Sequence, residues 1–199
     1  MFIVMSYHIY QTEGFIVGSV PINEASRYIS IYTEDLGMVR AVAQGVRNLR
    51  SKLKHSLQDL SFSKVSFVRG REVWRIVNSE KLKLLETSLT NKEKREFTAK
   101  IASILKRFVR GELIDRELFL ELKNGFVFLD NENFSEELLL CFELLFVLRI
   151  LDRLGYVADK SFGELYLNGA WHIDKIKDFL GRERELISIV NSSMAHSHL

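Results

Sequence analysis

Cysteine and proline are almost missing: Cys141 and Pro21 are the only ones in 199 residues. A lone cysteine excludes an internal disulfide and any multi-cysteine zinc cluster within one chain, and it suits a reducing cytoplasm. With so little proline there is no proline-rich linker, so a domain boundary has to be read from a change of pattern. Long apolar runs are lacking too. The longest, Leu138 to Leu151, is interrupted by Glu143 and Arg149, which predicts a buried helix rather than a membrane span. Met1 to Met5 is apolar but has neither the basic leader nor the length of a signal peptide.

Catalytic signatures are absent as well. There is no Walker A glycine loop, no His-Glu-x-x-His and no glycine-flanked serine. His196 and His198 stand two apart in a tail expected to fray, which does not make a metal site. Asp115, Glu117 and Glu121 could crowd together as a nuclease requires, but read as an exposed acidic helix face. The expectation is a protein that is not an enzyme, with no cofactor, no metal, no small-molecule substrate and no membrane contact.

What is present is charge of one sign, concentrated. The net charge is only +2 and mean hydropathy is near zero. Yet between Arg40 and Arg75 nine basic residues face two acids, Asp59 and Glu72, a local net charge of +7. Its centre is Gly45 to Lys54, where Arg47, Arg50, Lys52 and Lys54 occur with no acid among them. Such a run can follow a phosphate backbone, where each neutralised phosphate releases counterions. A second basic run, Lys92, Lys94, Arg95, Lys100, Lys106, Arg107 and Arg110 against Glu93 and Glu96, carries +5. By default it is the solvated face of a helix.

The pattern changes near Glu80. Before it, Phe15–Val20, Tyr28–Tyr32, Gly37–Ala43, Phe62–Val68 and Glu72–Val77 are rich in β-branched and aromatic residues, and several alternate. Glu34-Asp35-Leu36-Gly37 reads as a turn, and Arg69-Gly70-Arg71 closes a hairpin. Five short strands with a longer connection between the third and fourth match an OB-fold barrel; a small SH3-like barrel fits nearly as well. Beyond Glu80 the apolar spacing is helical. Helices are predicted over Lys92–Val109, over Asp115–Lys123 ending at Gly125, from a Ser135 cap to Leu154, and over Arg182–Asn191. Gly163–Trp171 reads as a turn or small hairpin. The fold class is therefore α+β in two domains: a five-stranded barrel over 1–80 and an α-helical domain over 81–199.

In succession, Glu13-Gly14-Phe15-Ile16-Val17, Glu24 to Arg27, Ile31-Tyr32-Thr33-Glu34-Asp35-Leu36-Gly37, Ala41-Val42-Ala43-Gln44-Gly45 and Arg50-Ser51-Lys52-Leu53 resemble the N-terminal domain of RecO, the bacterial recombination mediator. Cys141-Phe142-Glu143-Leu144-Leu145 and Leu154-Gly155-Tyr156 resemble that family's central helix and its end. The resemblance implies an N-terminal OB-fold, a helical C-terminal domain and a cytoplasmic, nucleoid-associated protein of DNA repair and homologous recombination. It further implies ATP-independent annealing of complementary strands, binding to the tail of single-stranded DNA-binding protein, and partnership with RecR in loading RecA. Two departures stand out. Many members carry a four-cysteine zinc module after the leucine-glycine, whereas Val157–Trp171 has no cysteine, which marks a short form. Gln44 stands where the family often has lysine.

Arg47, Arg50, Lys52 and Lys54 are the primary candidates for contact with single- and double-stranded DNA, and Arg40, Arg69 and Arg71 could widen the same groove. Lys100, Lys106, Arg107 and Arg110 form a possible second basic surface. Tyr28 and Tyr32 share a strand face and either stack bases or pack; Trp74 reads as a core or domain-interface anchor. Competing readings are an OB-fold RNA binder, separable by sensitivity to the 2′-hydroxyl, and an adaptor that binds only proteins.

Overall fold

A computed structural model describes residues 8–157 and 163–195. Two compact units emerge: the chain up to Glu86 together with Val109–Asp115, and Thr87–Phe108 together with the chain from Arg116 onward.

The first unit is a closed five-stranded barrel with strands β1 (Ile9–Pro21), β2 (Arg27–Thr33), β3 (Gly37–Ala43), β4 (Phe62–Arg69) and β5 (Trp74–Lys81) in the order β1-β2-β3-β5-β4. All pairs are antiparallel except β3 with β5. This is the OB-fold, and it supersedes the SH3-like alternative. The alternation seen in the sequence sets the two faces. Ile29 and Ile31, Val39 and Ala41, Val65 and Phe67, and Ile76 point into one buried cluster.

Two strand boundaries differ from the predicted ones by more than two residues. The first strand begins at Ile9 rather than Phe15, because Ile9–Phe15 pairs with β4 while Gly14–Pro21 pairs with β2 across a register shift near Gly18. Gln11, Thr12 and Glu13 conceal this half with their polarity. The last strand runs to Lys81 because Ser63 pairs with Lys81. A one-turn helix α1 (Leu53–Ser56) also forms within the basic run. It is pinned by Ser56, whose hydroxyl meets that of Ser79 and whose carbonyl accepts from the Ser63 hydroxyl.

Val109–Asp115 is a strap on the barrel. The Met38 N–H donates to Gly111 O at 3.0 Å, the Tyr32 hydroxyl to Asp115 O at 3.1 Å and the Trp74 indole to Glu112 Oε1 at 2.8 Å. Gly37 permits this approach. It has φ +68° and a β-carbon there would stand 2.8 Å from the Leu113 carbonyl carbon.

The second unit contains α2 (Lys92–Phe108), α3 (Arg116–Asn131), α4 (Glu136–Arg153), α5 (Glu164–Leu167), α6 (Ile173–Lys177) and α7 (Glu183–Ala195). Ser135 caps α4 as expected, accepting from the Leu138 N–H at 3.3 Å. Phe97, Phe142 and Phe146 stack in its core. The predicted stop at Gly125 is wrong: α3 continues to Asn131. Gly125 is there for closeness, since a β-carbon on it would stand 2.7 and 2.9 Å from two ring carbons of Phe146. The hairpin expected over 163–171 is the single turn α5 followed by a bend. Its carbonyls are taken by Arg149, whose Nε donates to Tyr166 O at 2.6 Å and whose terminal nitrogen donates to Gly169 O at 2.9 Å. Residues 158–162 of the cysteine-free stretch, and His196 and His198, lie outside the described residues.

Candidate nucleic-acid interface

Barrel register brings together cations that are far apart in sequence. Arg27 opens β2 opposite Ala43, the last residue of β3, so it stands beside the exit of the basic loop. That loop is tied to the β1–β2 connection from several directions. The Arg47 N–H donates to Ala25 O at 3.0 Å, its guanidinium to Asn23 O at 2.9 Å, and the Gly45 N–H to the Ser26 hydroxyl at 3.4 Å. Asn23 braces the connection by accepting from the N–H groups of Ala25 and Ser26. Residues 48–54 continue as linked turns into α1, with Asn48 N to Gly45 O, Ser51 N to Asn48 O and Lys54 N to Ser51 O.

The result is a pocket of about 480 Å³ whose lining includes Arg27, Arg47 and Lys54, with Asp59 as the one acid. The Arg27 terminal nitrogen donates to the Ser19 hydroxyl at 2.9 Å, while its Nε is buried with no partner. Arg50 and Lys52 are exposed on the same loop, and Leu49 just before them is 91% exposed. Three positive groups around one hollow favour an anion with several acceptor oxygens, and guanidinium forks match a phosphate in shape. Arg27 was not among the predicted residues. Counting back from the Glu34–Leu36 turn along the β2–β3 hairpin would have found it.

The remaining candidates fall elsewhere. Arg40 stands on the outer wall of β3, its guanidinium 4.4 Å from the centre of the Tyr28 ring. Arg69 is paired with Glu112 Oε2 at 3.3 Å and lies over the Trp74 ring. Arg71 is exposed in the β4–β5 connection. The two tyrosines part company. Tyr28 is half-buried, whereas Tyr32 is fully buried under the strap, and burial pushes its phenol far above the ordinary range with Asp115 adding to the effect. Trp74 is 5% exposed and belongs to the barrel core.

In the helical unit, the second basic run is partly engaged. Lys94 donates to Leu129 O at 2.5 Å and Glu132 O at 2.8 Å, closing the end of α3; burial lowers its pKa. Lys100 pairs with Glu143 at 2.8 Å. Lys106 and Arg107 are exposed, and Arg107 also lies over the Phe108 ring. Arg110 belongs to the strap of the barrel unit. The three acids considered for metal binding are used otherwise. Glu117 pairs with Arg153 at 2.7 Å, Glu121 with buried Arg149 at 3.2 Å, and Asp115 precedes α3. Among the described residues no three histidines, cysteines or acids are grouped to hold a metal. No helix among them is long and apolar enough to cross a membrane.

Residues 5–84 match the family described as "Recombination protein O N terminal". The chain is 26% identical over 151 residues to the DNA repair protein RecO of Clostridium novyi, covering 76% of this chain and 58% of that protein. It is 26% identical over 153 residues to RecO of Heliobacterium modesticaldum, covering 77% and 54%. A shorter match, 37% over 73 residues, is to RecO of Dehalococcoides mccartyi, covering 37% of this chain and 29% of that one. The chain thus spans little more than half the length of the Clostridium novyi and Heliobacterium modesticaldum relatives. Matches of 151 and 153 residues are longer than the barrel and run past it into the helices, so residues 5–84 carry the match to the RecO N-terminal family and the likeness to RecO proteins extends beyond them.

Proposed function

We propose that this chain is a DNA repair and recombination mediator that binds single-stranded DNA, anneals complementary strands and, with RecR, helps load RecA onto strands coated by single-stranded DNA-binding protein. The observation that carries the DNA reading is the convergence of Arg27, Arg47 and Lys54 on one pocket beside exposed Arg50 and Lys52. Double-stranded DNA presents the same phosphates to these groups and is bound through them as well. The partner assignments come from the resemblance to the family.

A mechanism follows from the electrostatics. Cations held on a braced loop neutralise backbone phosphates, screen the mutual repulsion of two strands and leave base edges free to pair. Nothing in this requires nucleotide hydrolysis. Arg47 is the fixed member, because its backbone and guanidinium are both bonded to the β1–β2 connection. Arg50 and Lys52 extend into solvent and adapt to the strand.

The test is annealing of complementary oligonucleotides coated with the cognate single-stranded DNA-binding protein, without ATP. Wild type is compared with Arg47, Arg50, Lys52 and Lys54 all changed to glutamate. Acceleration by wild type, lost in a folded variant, is the expected result. Direct binding should show the log–log salt slope flattened by about 0.7 per lost contact, roughly 3 in all. Unchanged affinity and slope remove the loop from the site. Protein binding without salt-sensitive DNA affinity favours the adaptor reading.

A further inference from the structure

Alternation along the β2–β3 hairpin puts Tyr28, Ser30 and Tyr32 on its outer face beside Val42, Arg40 and Met38, their respective partners in register. The strap covers Tyr32 and leaves the other end open. What remains is a groove of about 770 Å³ to which the hairpin contributes Tyr28, small Ser30, Met38 and Arg40. Its lining holds one cation, Arg40, and two acids, Glu72 and Glu112.

The charge in this groove is wrong for phosphate, since two carboxylates oppose one guanidinium. The chemistry is right for the uncharged part of a nucleotide. Tyr28 and the plane of Arg40, already stacked on each other at 4.4 Å, form a platform of the kind on which unpaired bases stack. Carboxylates only accept hydrogen bonds, so they select for donors. Cytosine, adenine and guanine each carry an exocyclic amino group, whereas the single imide N–H of thymine is flanked by two carbonyl oxygens that a carboxylate repels. The groove also lies on the strand that feeds the basic loop. Five residues of extended chain from Arg40 to Gly45 span about 17 Å, within reach of one bound strand.

We propose that this groove receives an unpaired nucleobase of the strand held by the 45–54 loop, and that Glu72 and Glu112 favour bases bearing an amino group over thymine. The proposal rests on the DNA-binding reading above and adds to it a preference for unpaired strands and for composition. Glu112 is already oriented by Trp74 and Arg69, so it presents a fixed acceptor, while Glu72 is exposed and adjusts to the base.

The experiment is fluorescence anisotropy of the full chain with oligo-dC and oligo-dT of equal length, and with a duplex, at two salt concentrations. Wild type should bind oligo-dC about tenfold tighter than oligo-dT, and Glu72→Gln should reduce that ratio to about threefold or less. Tyr28→Leu should weaken single-strand binding about tenfold and leave duplex binding unchanged. If Tyr28→Leu does not fold, the exposed change Arg40→Gln reads the same groove and should weaken single-strand binding more than duplex binding. Equal affinity of wild type for the two oligonucleotides, with a normal salt slope, overturns the groove proposal alone. Failure of both groove variants to separate single strand from duplex does the same. Absence of any salt-sensitive DNA affinity overturns the underlying reading with it.

Discussion

The indole N–H of Trp74 donates to the carboxylate of Glu112 at 2.8 Å, joining the first residue of β5 to a segment 38 residues later that follows α2. Arg69 meets the other oxygen of the same carboxylate and lies over the Trp74 ring. One acid thus holds two barrel residues, and through them the strap that covers half of the β2–β3 wall. This arrangement divides the wall into a structural half around Tyr32 and an open half around Tyr28.

Replacing Glu112 with leucine leaves the Trp74 N–H without an acceptor in a residue that is 5% exposed. The expected loss is about 1–3 kcal/mol. Glu112→Gln retains an acceptor and should lose less. Urea unfolding followed by tryptophan emission, in a Trp171→Phe background so that Trp74 alone reports, checks the order. Equal stability of the leucine variant and wild type would show that the strap is held by its backbone bond to Met38 instead.

Gly125→Ala tests whether packing outweighs propensity. Alanine in a helix interior is intrinsically favoured over glycine by about 1 kcal/mol. Here the added methyl meets the Phe146 ring, and overpacking of this kind costs about 1–3 kcal/mol. The melting temperature should therefore fall. In a Phe146→Leu background, where the ring is gone, the same change should become neutral or favourable.

Cys141 is fully buried, and burial, with the Glu183 carboxylate close by, pushes its thiol up to about 11. The unfolded thiol ionises near about 8.5. The folded state therefore binds the proton more tightly, so its advantage is complete below about 8.5 and is lost as pH rises toward about 11. Stability should decline through that window, an effect that Cys141→Ala removes. Thiol-reactive reagents at about pH 8 should label the native protein far more slowly than the unfolded one. Fast native labelling would contradict the burial.

What depends on local period is legible in the sequence, and what depends on contact is not. Ile29 and Ile31 alternate with Tyr28, Ser30 and Tyr32, so β2 and its two faces follow from the order of residues alone. The first half of β1 does not, because its polar residues Gln11 to Glu13 are paired by β4 from about 50 residues away. Gly125 looks like a helix terminator, since glycine has the same sequence appearance whether it ends a helix or makes room for a ring. At the candidate interface, Arg47 to Lys54 are visible as a run. Arg27 lies outside the run and is reached only by counting register back from the hairpin turn, while the fate of Tyr32 depends on a strap contributed from beyond α2.

Arg149 gives the sharpest test of the helical unit. Its side chain is 1% exposed and joins four groups: Glu121 at 3.2 Å, the carbonyls of Tyr166 and Gly169, and the Trp171 ring, 3.8 Å below its guanidinium. A guanidinium can serve all four at once because it is planar and forked, which a lysine ammonium is not. Arg149→Lys should therefore destabilise the protein, and Glu121→Leu should cost about 3–5 kcal/mol by leaving the buried charge unpaired. The double change Arg149→Met with Glu121→Leu removes both charges and should recover much of the second loss, though not the two carbonyl bonds. If the pair mattered only as a pair, the double variant would match wild type. A persistent deficit, with hydrogen exchange of residues 163–171 accelerated, would show that the same arginine fastens that segment to α4.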